Sequence, residues 1–394
     1  MPDGLASPNL EATLEAGPEV WVALVLGAVI VVLFLRALLN RRKLPKLSIW
    51  VSSADTSPED DDTDGSRSSA LLSASPSSPQ LDCMVVIPAR DESGCIGTAV
   101  RSLPPDSVIV VDDHSEDSTA EEAREAGAGV IQAPDLLRAT SGKANACMAG
   151  AQALTSRWIL FADADTRFSP GFLNAAVACA ESSDVALLSI YLDPDYSTIG
   201  EHVLTSYLIA LFFCGTNPRS DPVSAFNGQC LLARRDAYRF LGGHAAVANS
   251  VNEDVRLAGN FHRHRLTLGI ARANGLGTVS WRDLAGAVER GAFRFMIRSS
   301  LLGATALLIA AVAMAAWIPV LVWLLVAQQY RVAAAFAMAP WLLLWGWYGR
   351  GWRSLAVVGL PVAIYAALPM LGSGLWAALK VGAVQWKGRT IGRA

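Results

Sequence analysis

Charge is scarce in this chain. Of 394 residues only 17% are Asp, Glu, Lys or Arg, against 52% hydrophobic, a balance too apolar for an ordinary soluble protein and one that leaves room for membrane spans beside a globular domain. Neither sign of charge dominates. The 32 basic and 35 acidic residues leave a net charge of −3, so composition offers no basic surface for nucleic acid. Cys-x-x-Cys pairs are missing too: the six cysteines stand singly at 83, 95, 147, 179, 214 and 230. That spacing gives neither a zinc knuckle nor a disulfide framework and fits small core residues of a reducing compartment. Residues 1–19 hold no Lys or Arg, so the apolar run behind them lacks the basic leader of a cleaved signal peptide.

Long uncharged runs are what the sequence has instead. Val20 to Leu35 carries no charge; with Arg36 snorkelling and Ala37-Leu38-Leu39 extending the run, a membrane helix is expected over about 20–39. The cluster Arg41-Arg42-Lys43 then lies on the cytoplasmic side and residues 1–19 outside. Residues 40–80 read as a basic flank and a tether. The stretch 48–80 is rich in Ser, Asp and Pro, includes Glu59-Asp60-Asp61-Asp62, and has too few large apolar side chains to offset the entropy of ordering. After Arg298, Ser299–Tyr330, Val332–Gly349 and Ser354–Leu379 are uncharged. The simplest reading of 299–379 is three spans near 300–327, 332–349 and 355–379. Three crossings would leave Lys380, Lys387, Arg389 and Arg393 of the basic tail 380–394 outside, against the positive-inside tendency. Pro361, Pro369, Gly372 and Gly374 allow the last stretch to re-enter or lie at the interface, so two or three spans are expected. The Arg350 and Arg353 loop fits the cytoplasmic side either way. The whole reads as a multi-pass protein of the cell's inner or plasma membrane.

Between these segments, residues 81–298 alternate apolar runs with helical patterns. Strands are expected at Cys83–Pro88, Val108–Val111, Trp158–Ala162 and Val185–Ile190, and helices at 95–103, 118–127, 141–155 and 170–181. Ser118 with Glu121 fits a capping box. Such alternation predicts an α/β domain with a mostly parallel sheet covered on both faces. A further strand is expected at Cys230–Ala233. Val203–Cys214, apolar but too short to span, reads as a core or interface helix and as a place where a greasy acceptor enters. Arg290, Arg294 and Arg298 recur every four residues, forming one face of a helix that rests at the headgroup level.

The chain is organised around Trp158-Ile159-Leu160-Phe161-Ala162-Asp163-Ala164-Asp165. An apolar strand ends in two carboxylates one residue apart, at the edge where an open α/β sheet places its ligand. A hard divalent cation carrying phosphate oxygens would neutralise them; a solvated turn would also contain them. Ala89-Arg90-Asp91-Glu92 closes the first strand and Asp112-Asp113-His114-Ser115 the second. Carboxylates there either accept hydrogen bonds from a ribose or base, or cap helices. Lys143 stands in the first turn of a helix opened by Ser141-Gly142, where a cation is unfavourable, so it calls for an anionic partner. Asn252-Glu253-Asp254 either caps a helix or presents a carboxylate to a substrate. Gly228 in Phe226-Asn227-Gly228-Gln229 either lets a ligand approach the backbone or marks a bulge. Histidines 202, 262 and 264 suggest no chemistry.

Taken in order, Ile-Pro-Ala-Arg-Asp-Glu, Val-Asp-Asp-His-Ser, Gly-Lys-Ala-Asn-Ala, Asp163-Ala-Asp165, Gly228-Gln229-Cys230 with Gly242-Gly243-His244, and Glu253-Asp254-Val255 resemble a family 2 glycosyltransferase of the GT-A fold over about 83–295. With the closing Trp386-Lys387-Gly388-Arg389, the pattern looks like the branch acting on carotenoid or hopanoid-type lipids. The resemblance implies that Asp91, Glu92 and Asp113 hold the nucleotide of a nucleotide-diphosphate sugar, a UDP-sugar by preference, with Asp112 supporting the turn. It implies that Asp163 and Asp165 bind a Mg or Mn ion bridging the diphosphate, that Lys143 joins the same site, and that Asp254 is the general base of an inverting transfer, with Glu253 positioning it. Gly228, Gln229 and His244 would line the acceptor site.

The Gln-x-x-Arg-Trp signature of processive members is absent. Its region reads Trp281-Arg282-Asp283 and Glu289-Arg290-Gly291-Ala292-Phe293, so one sugar per lipid acceptor is expected. A polysaccharide synthase and a silent nucleotide-sugar-binding membrane scaffold are the alternatives.

Overall fold

The computed structural model describes residues 17–50, 81–136, 141–196, 198–250, 252–280, 284–298, 301–338, 360–381, 383–386 and 389–392. Residues 51–80 of the expected tether 48–80, the Trp281-Arg282-Asp283 segment and the Arg350 and Arg353 loop lie outside them, while Leu47–Trp50 form a 3-10 helix that cuts the tether short. The chain forms two compact units: Met1–Lys43, Tyr196–Asn217 and Asp283–Val381 in one, Leu44–Asp195, Pro218–Arg282 and Gly382–Ala394 in the other. The unit that holds the sheet therefore differs in extent from 81–298. It lacks 196–217 and 283–298 and includes a C-terminal segment.

Its main sheet has seven strands: β1 Cys83–Ala89, β2 Val108–Asp112, β3 Gly129–Gln132, β4 Trp158–Ala162, β6 Leu187–Tyr191, β8 Cys230–Arg234 and β9 Leu268–Arg272, in the order β3-β2-β1-β4-β8-β6-β9. The pairings are parallel except for β8, which runs antiparallel to both β4 and β6. This is the mixed, mostly parallel α/β sheet expected of the GT-A fold. Central strands buried on both faces read as unbroken apolar runs; Val85, Val86, Ile87, Ile159 and Leu160 are fully buried. From β1 the chain builds outward through β2 and β3, then returns to β4 on the other side of β1. The loops at the carboxyl ends of β1 and β4 part there, and that crevice is where such sheets bind ligands. A small sheet of β5 Thr166–Phe168, β10 Gly277–Ser280 and β7 Asp193–Asp195 starts directly after Asp165.

The helices of this unit are shorter than the sequence patterns: α2 Ile96–Arg101, α3 Thr119–Glu125, α4 Gly142–Gln152 and α5 Phe172–Ser182, followed by α7 Arg235–Phe240 and α8 Glu253–Arg263. The expected capping box does not form. Ser118 Oγ donates to Glu122 Oε1 at 2.8 Å, and the Thr119 N–H goes to Asp117 Oδ1 at 3.0 Å, because the aspartate is the stronger acceptor for a helix's first N–H groups.

The other unit collects the apolar helices: α1 Pro18–Arg42, α6 Ile199–Gly215, α9 Leu284–Arg298, α10 Leu301–Val326 and α11 Leu360–Trp376. Three helices are long and apolar enough to cross a membrane, Pro18–Arg42, Leu308–Val326 and Val362–Lys380. Residues 330–338 are also helical; the rest of the expected span 332–349 lies outside the described residues. Helix α6 is 17 residues long, longer than the uncharged run predicts. Its last carbonyls are met by Asn40 of α1, whose Nδ2 donates to Phe213 O at 3.1 Å and Thr216 O at 2.7 Å. Gly374 of α11 lies so close to α9 that an added methyl would meet the Glu289 carbonyl oxygen at 2.4 Å.

Candidate active site

Strand β4 delivers Asp163 and Asp165 to a turn pinned through its main chain. Asp163 N–H donates to Gln229 O at 3.0 Å, Thr166 Oγ1 to Asp163 O at 2.7 Å, and Ser280 N–H to Asp165 O at 3.0 Å. With the backbone so occupied, the carboxylates are left for other partners, and that of Asp165 lies within reach of the charges of Asp163, Glu92 and Lys143. Lys143 has the anionic partner its position demands. Its Nζ lies 2.5 Å from Asp163 Oδ1 and 3.0 Å from Gly228 O. Ser141 caps α4 by accepting the Ala144 N–H at 3.4 Å, which sets the helix's first turn and with it the lysine. Burial disfavours the Lys143 charge, but Asp163 and then Glu253 outweigh it and hold the ammonium above its usual range. For Asp165, burial, then Asp163 and Glu92, push the carboxyl up to about 7.

The acidic loops after β1 and β2 are laced together. Asp91 N–H donates to Ser115 Oγ at 3.0 Å, Glu92 N–H to Thr119 Oγ1 at 2.7 Å, Ser93 N–H to Asp117 Oδ2 at 3.1 Å, and Gly94 N–H to Glu122 Oε2 at 2.8 Å. In return Asp91 Oδ1 accepts the Glu116 N–H at 2.9 Å. Asp91 thus spends one carboxylate oxygen on the loops themselves. Asp117 is exposed; burial works against its charge, but the hydroxyl of Thr119, then Ser93, lower its carboxyl to about 2. Asp112 supports its turn as expected, accepting the Ser115 N–H on Oδ2 at 3.4 Å, while its Oδ1 is buried with no hydrogen-bond partner among the described residues. Asp113 is buried, its N–H given to Ala89 O at 2.8 Å. Arg90 anchors this loop, donating from one terminal nitrogen to Asp113 O at 2.8 Å and His114 O at 3.3 Å. Sequence reasoning passed over Arg90, Ser115, Asp117 and Thr119, although all stand inside or beside the motifs that it quoted.

On the far side of the turn, Asn227 and Gln229 bind each other: Asn227 Nδ2 donates to Gln229 Oε1 at 2.8 Å and Gln229 N–H to Asn227 Oδ1 at 3.2 Å. Their pairing shapes the bend that carries Gly228. A methyl added to Gly228 would stand 3.0 Å from Asp254 Cβ and 3.2 Å from its Oδ2. Asp254 and Glu253 open α8 and are buried, and Asp254 Oδ1 accepts the Val255 N–H at 2.8 Å. Lys143, Asp163, Gly228, Glu253 and Asp254 therefore meet in one place. His244 lies within the wall: it is 2% exposed, its Nδ1 is 2.7 Å from Tyr238 Oη, and its ring packs edge-on to Phe161 at 4.8 Å.

Among the described residues, no group of three or more His, Cys, Asp or Glu side chains could hold a metal ion. Asp163 and Asp165 alone fit the magnesium style of site, in which one or two carboxylates bind the ion together with substrate phosphates. Burial and the neighbouring charges of Asp163 and Glu92, which together raise Asp165, are what a divalent cation would offset.

Residues 84–242 match the model of the family described as Glycosyl transferase family 2. Over 211 residues the chain is 30% identical to the 4,4'-diaponeurosporenoate glycosyltransferase of Staphylococcus haemolyticus, covering 50% of this chain and 56% of that protein. Over 89 residues it is 38% identical to the Staphylococcus aureus enzyme of the same name, covering 21% and 24%. The chain thus spans about half the length, or less, of these relatives. Among solved structures it resembles a mannosyltransferase from Pyrobaculum calidifontis in complex with GDP-Man and Mn2+, with 18% identity, a TM-score of 0.47 and coverage of 89% and 99%. It also resembles glucosyl-3-phosphoglycerate synthase from Mycobacterium tuberculosis in complex with Mn2+, UDP-glucose and phosphoglyceric acid, with 20% identity, a TM-score of 0.38 and coverage of 55% and 81%. The ordered motifs on this sheet and the match over 84–242 make this stretch of the chain similar to a family 2 glycosyltransferase.

Proposed function

We propose that this enzyme moves a sugar, with inversion, from a nucleotide-diphosphate sugar to a hydroxyl or carboxyl group of a membrane lipid at the cytoplasmic face. The observation that carries the reading is the contact path Asp163–Lys143–Gly228–Asp254, which joins the turn suited to a diphosphate to one carboxylate suited to a base. Asp91, Glu92, Asp112 and Asp113 are the nucleotide's residues in this reading, and the buried, unpartnered Asp112 Oδ1 suits a ribose hydroxyl. Gln229 helps line the acceptor side, and Glu253 positions Asp254. The apolar helices, and relatives named for a long-chain carotenoid acid, support a lipid acceptor.

Asp254 would take the proton of an acceptor hydroxyl as its oxygen attacks the anomeric carbon; the bond from that carbon to the diphosphate oxygen breaks, and the electron pair leaves with the nucleoside diphosphate. An acceptor carboxylate is already ionised and asks less of Asp254. Lys143, held charged beside Asp163, stands ready to offset the developing negative charge. A Mg or Mn ion on Asp163 and Asp165 would supply further charge neutralisation to the leaving group.

The test is calorimetry and turnover of the detergent-solubilised chain with UDP- and GDP-sugars, with and without manganese, using a lipid extract as acceptor. Asp254→Asn should keep donor binding and lose transfer to an alcohol by about 10²–10⁴-fold, the usual range for a general base. Unchanged turnover would remove Asp254 from that role, and a long carbohydrate product would favour the polysaccharide synthase.

A further inference from the structure

Tyr238 belongs to no motif, yet its hydroxyl meets His244 twice, at the ring and at the main chain. Its hydroxyl accepts the His244 backbone N–H at 3.0 Å. In the direction assigned here, the hydroxyl's single proton goes to His244 Nδ1, 2.7 Å away. A neutral imidazole whose Nδ1 accepts must carry its proton on Nε2. Burial, and secondarily the Lys143 charge, lower the His244 pKa to about 3, so the ring is uncharged at any working pH.

The backbone is shaped for this contact. Gly242 and Gly243 have φ of +76° and +50°, a left-handed pair that favours glycine, and a methyl on Gly243 would meet the Tyr238 ring at 2.4 Å. Phe161 of β4 packs against both rings, at 5.2 Å from Tyr238 and 4.8 Å from His244.

The turn held in this way, Gly243–Val247, leads to the starts of two helices. Ala248 O accepts the N–H of Ser141, the cap of α4, at 2.7 Å, and α4 carries Lys143 in its first turn. Onward, Ser250 N–H donates to Val247 O at 2.9 Å and Asn252 N–H to Ser250 Oγ at 3.3 Å, immediately before Glu253 and Asp254 open α8. We propose that Tyr238 is a positioning residue: by locking His244 as a neutral Nε2–H imidazole, it fixes the turn that sets Lys143 and Asp254 in register. The role of Asp254 as base comes from the transferase reading above; the lock itself rests on the contacts of Tyr238 and His244 and not on that role.

Two measurements test it on the full-length chain in detergent. Nitrogen NMR of protein labelled with ¹⁵N-imidazole histidine, with His244 assigned by loss of its signal in His244→Asn, should show a single Nε2–H tautomer that does not titrate between pH 5 and 8. Tyr238→Phe, which keeps the ring and its packing on Phe161, should speed hydrogen exchange in peptides covering both 141–147 and 250–258. In turnover it should lower kcat about tenfold and leave the donor KM within twofold, the signature of displaced chemistry groups rather than lost binding. His244→Asn, whose Oδ1 can take the tyrosine proton in place of Nδ1, should lose less kcat than His244→Leu, which should fall with Tyr238→Phe. An Nδ1–H or mixed tautomer in the wild-type chain, or wild-type kcat in Tyr238→Phe, overturns the proposal. Loss of kcat in His244→Asn as severe as in His244→Leu overturns it in favour of direct proton chemistry by the imidazole. The spectrum and the exchange rates need no substrate, so they judge the lock even if no nucleotide sugar is turned over and the transferase reading fails.

Discussion

Gly228 is the narrowest point of the site. At 3.0 Å from Asp254 Cβ, a methyl there is tighter than ordinary van der Waals contact, so Gly228→Ala must push the carboxylate aside by a few tenths of an ångström. Reaction rates are sensitive to displacements on this scale. We expect kcat to fall roughly tenfold with donor affinity preserved; an unchanged rate would show that Asp254 sits loosely. Asp165 gives a pH signature. Its folded carboxyl is raised from an ordinary value of 3.8 to about 7, so its contribution to stability is complete below pH 3.8 and is lost as the pH rises through about 7. Without added metal, thermal unfolding should come at a lower temperature at pH 8 than at pH 5, and manganese should raise it more at pH 8. Equal manganese shifts at both pH values would take Asp165 out of any cation site. The sequence made these carboxylates visible because an apolar strand that stops at two acids has few explanations. Tyr238 was invisible, since its partner lies six residues away across a turn that two glycines bend.

Helix and strand positions were legible in proportion to burial. Strands β1, β2 and β4 are covered on both faces and read as continuous apolar runs, but β3, with the sequence Gly-Val-Ile-Gln at the sheet's edge and half exposed, carries no such pattern. Strands β5 and β7, three residues each, are too short to show alternation. The extent of α6 was underestimated because Glu201 and His202 interrupt the uncharged run, although Thr198 Oγ1 caps its start by accepting the Glu201 N–H at 3.1 Å. Its other end depends on Asn40. Two hydrogen bonds from that amide satisfy carbonyls that a helix cannot satisfy for itself, so Asn40→Ala should cost about 1–3 kcal/mol at the usual worth of each bond. A lowered unfolding temperature in detergent with an unaltered donor KM would bear this out, and an unchanged unfolding temperature would refute it.

At the scale of the whole molecule, the grouping of the C-terminal hairpin bears on the conflict between three C-terminal crossings and the basic tail. The hairpin of β11 Ala383–Trp386 and β12 Arg389–Gly392 groups with the unit that holds the sheet. In the membrane reading proposed above, chain that leaves this unit at Arg282 and returns to it at Gly382 crosses the bilayer an even number of times. Close packing of Gly374 on Glu289 of the basic helix α9 fits a last apolar stretch that lies along that helix. A reporter fused after Ala394 should therefore act as cytoplasmic: fluorescent if a green fluorescent protein, inactive if an alkaline phosphatase. An active phosphatase would restore an odd number of crossings. Hydropathy could not decide this, because it measures length and apolarity and not parity.

Helix α6 sits between β7 and β8 in the chain yet belongs with α1, α10 and α11. The strands of the main sheet are thus interrupted in the chain by an apolar helix that groups with the other unit, and no single pair of cut sites releases the sheet without it. A fragment trimmed to 81–298 would still carry Tyr196–Asn217 stripped of its neighbours, and would self-associate through it. Only excision of that insert, with a short polar bridge from Asp195 to Pro218, would yield a fragment fit for work without detergent.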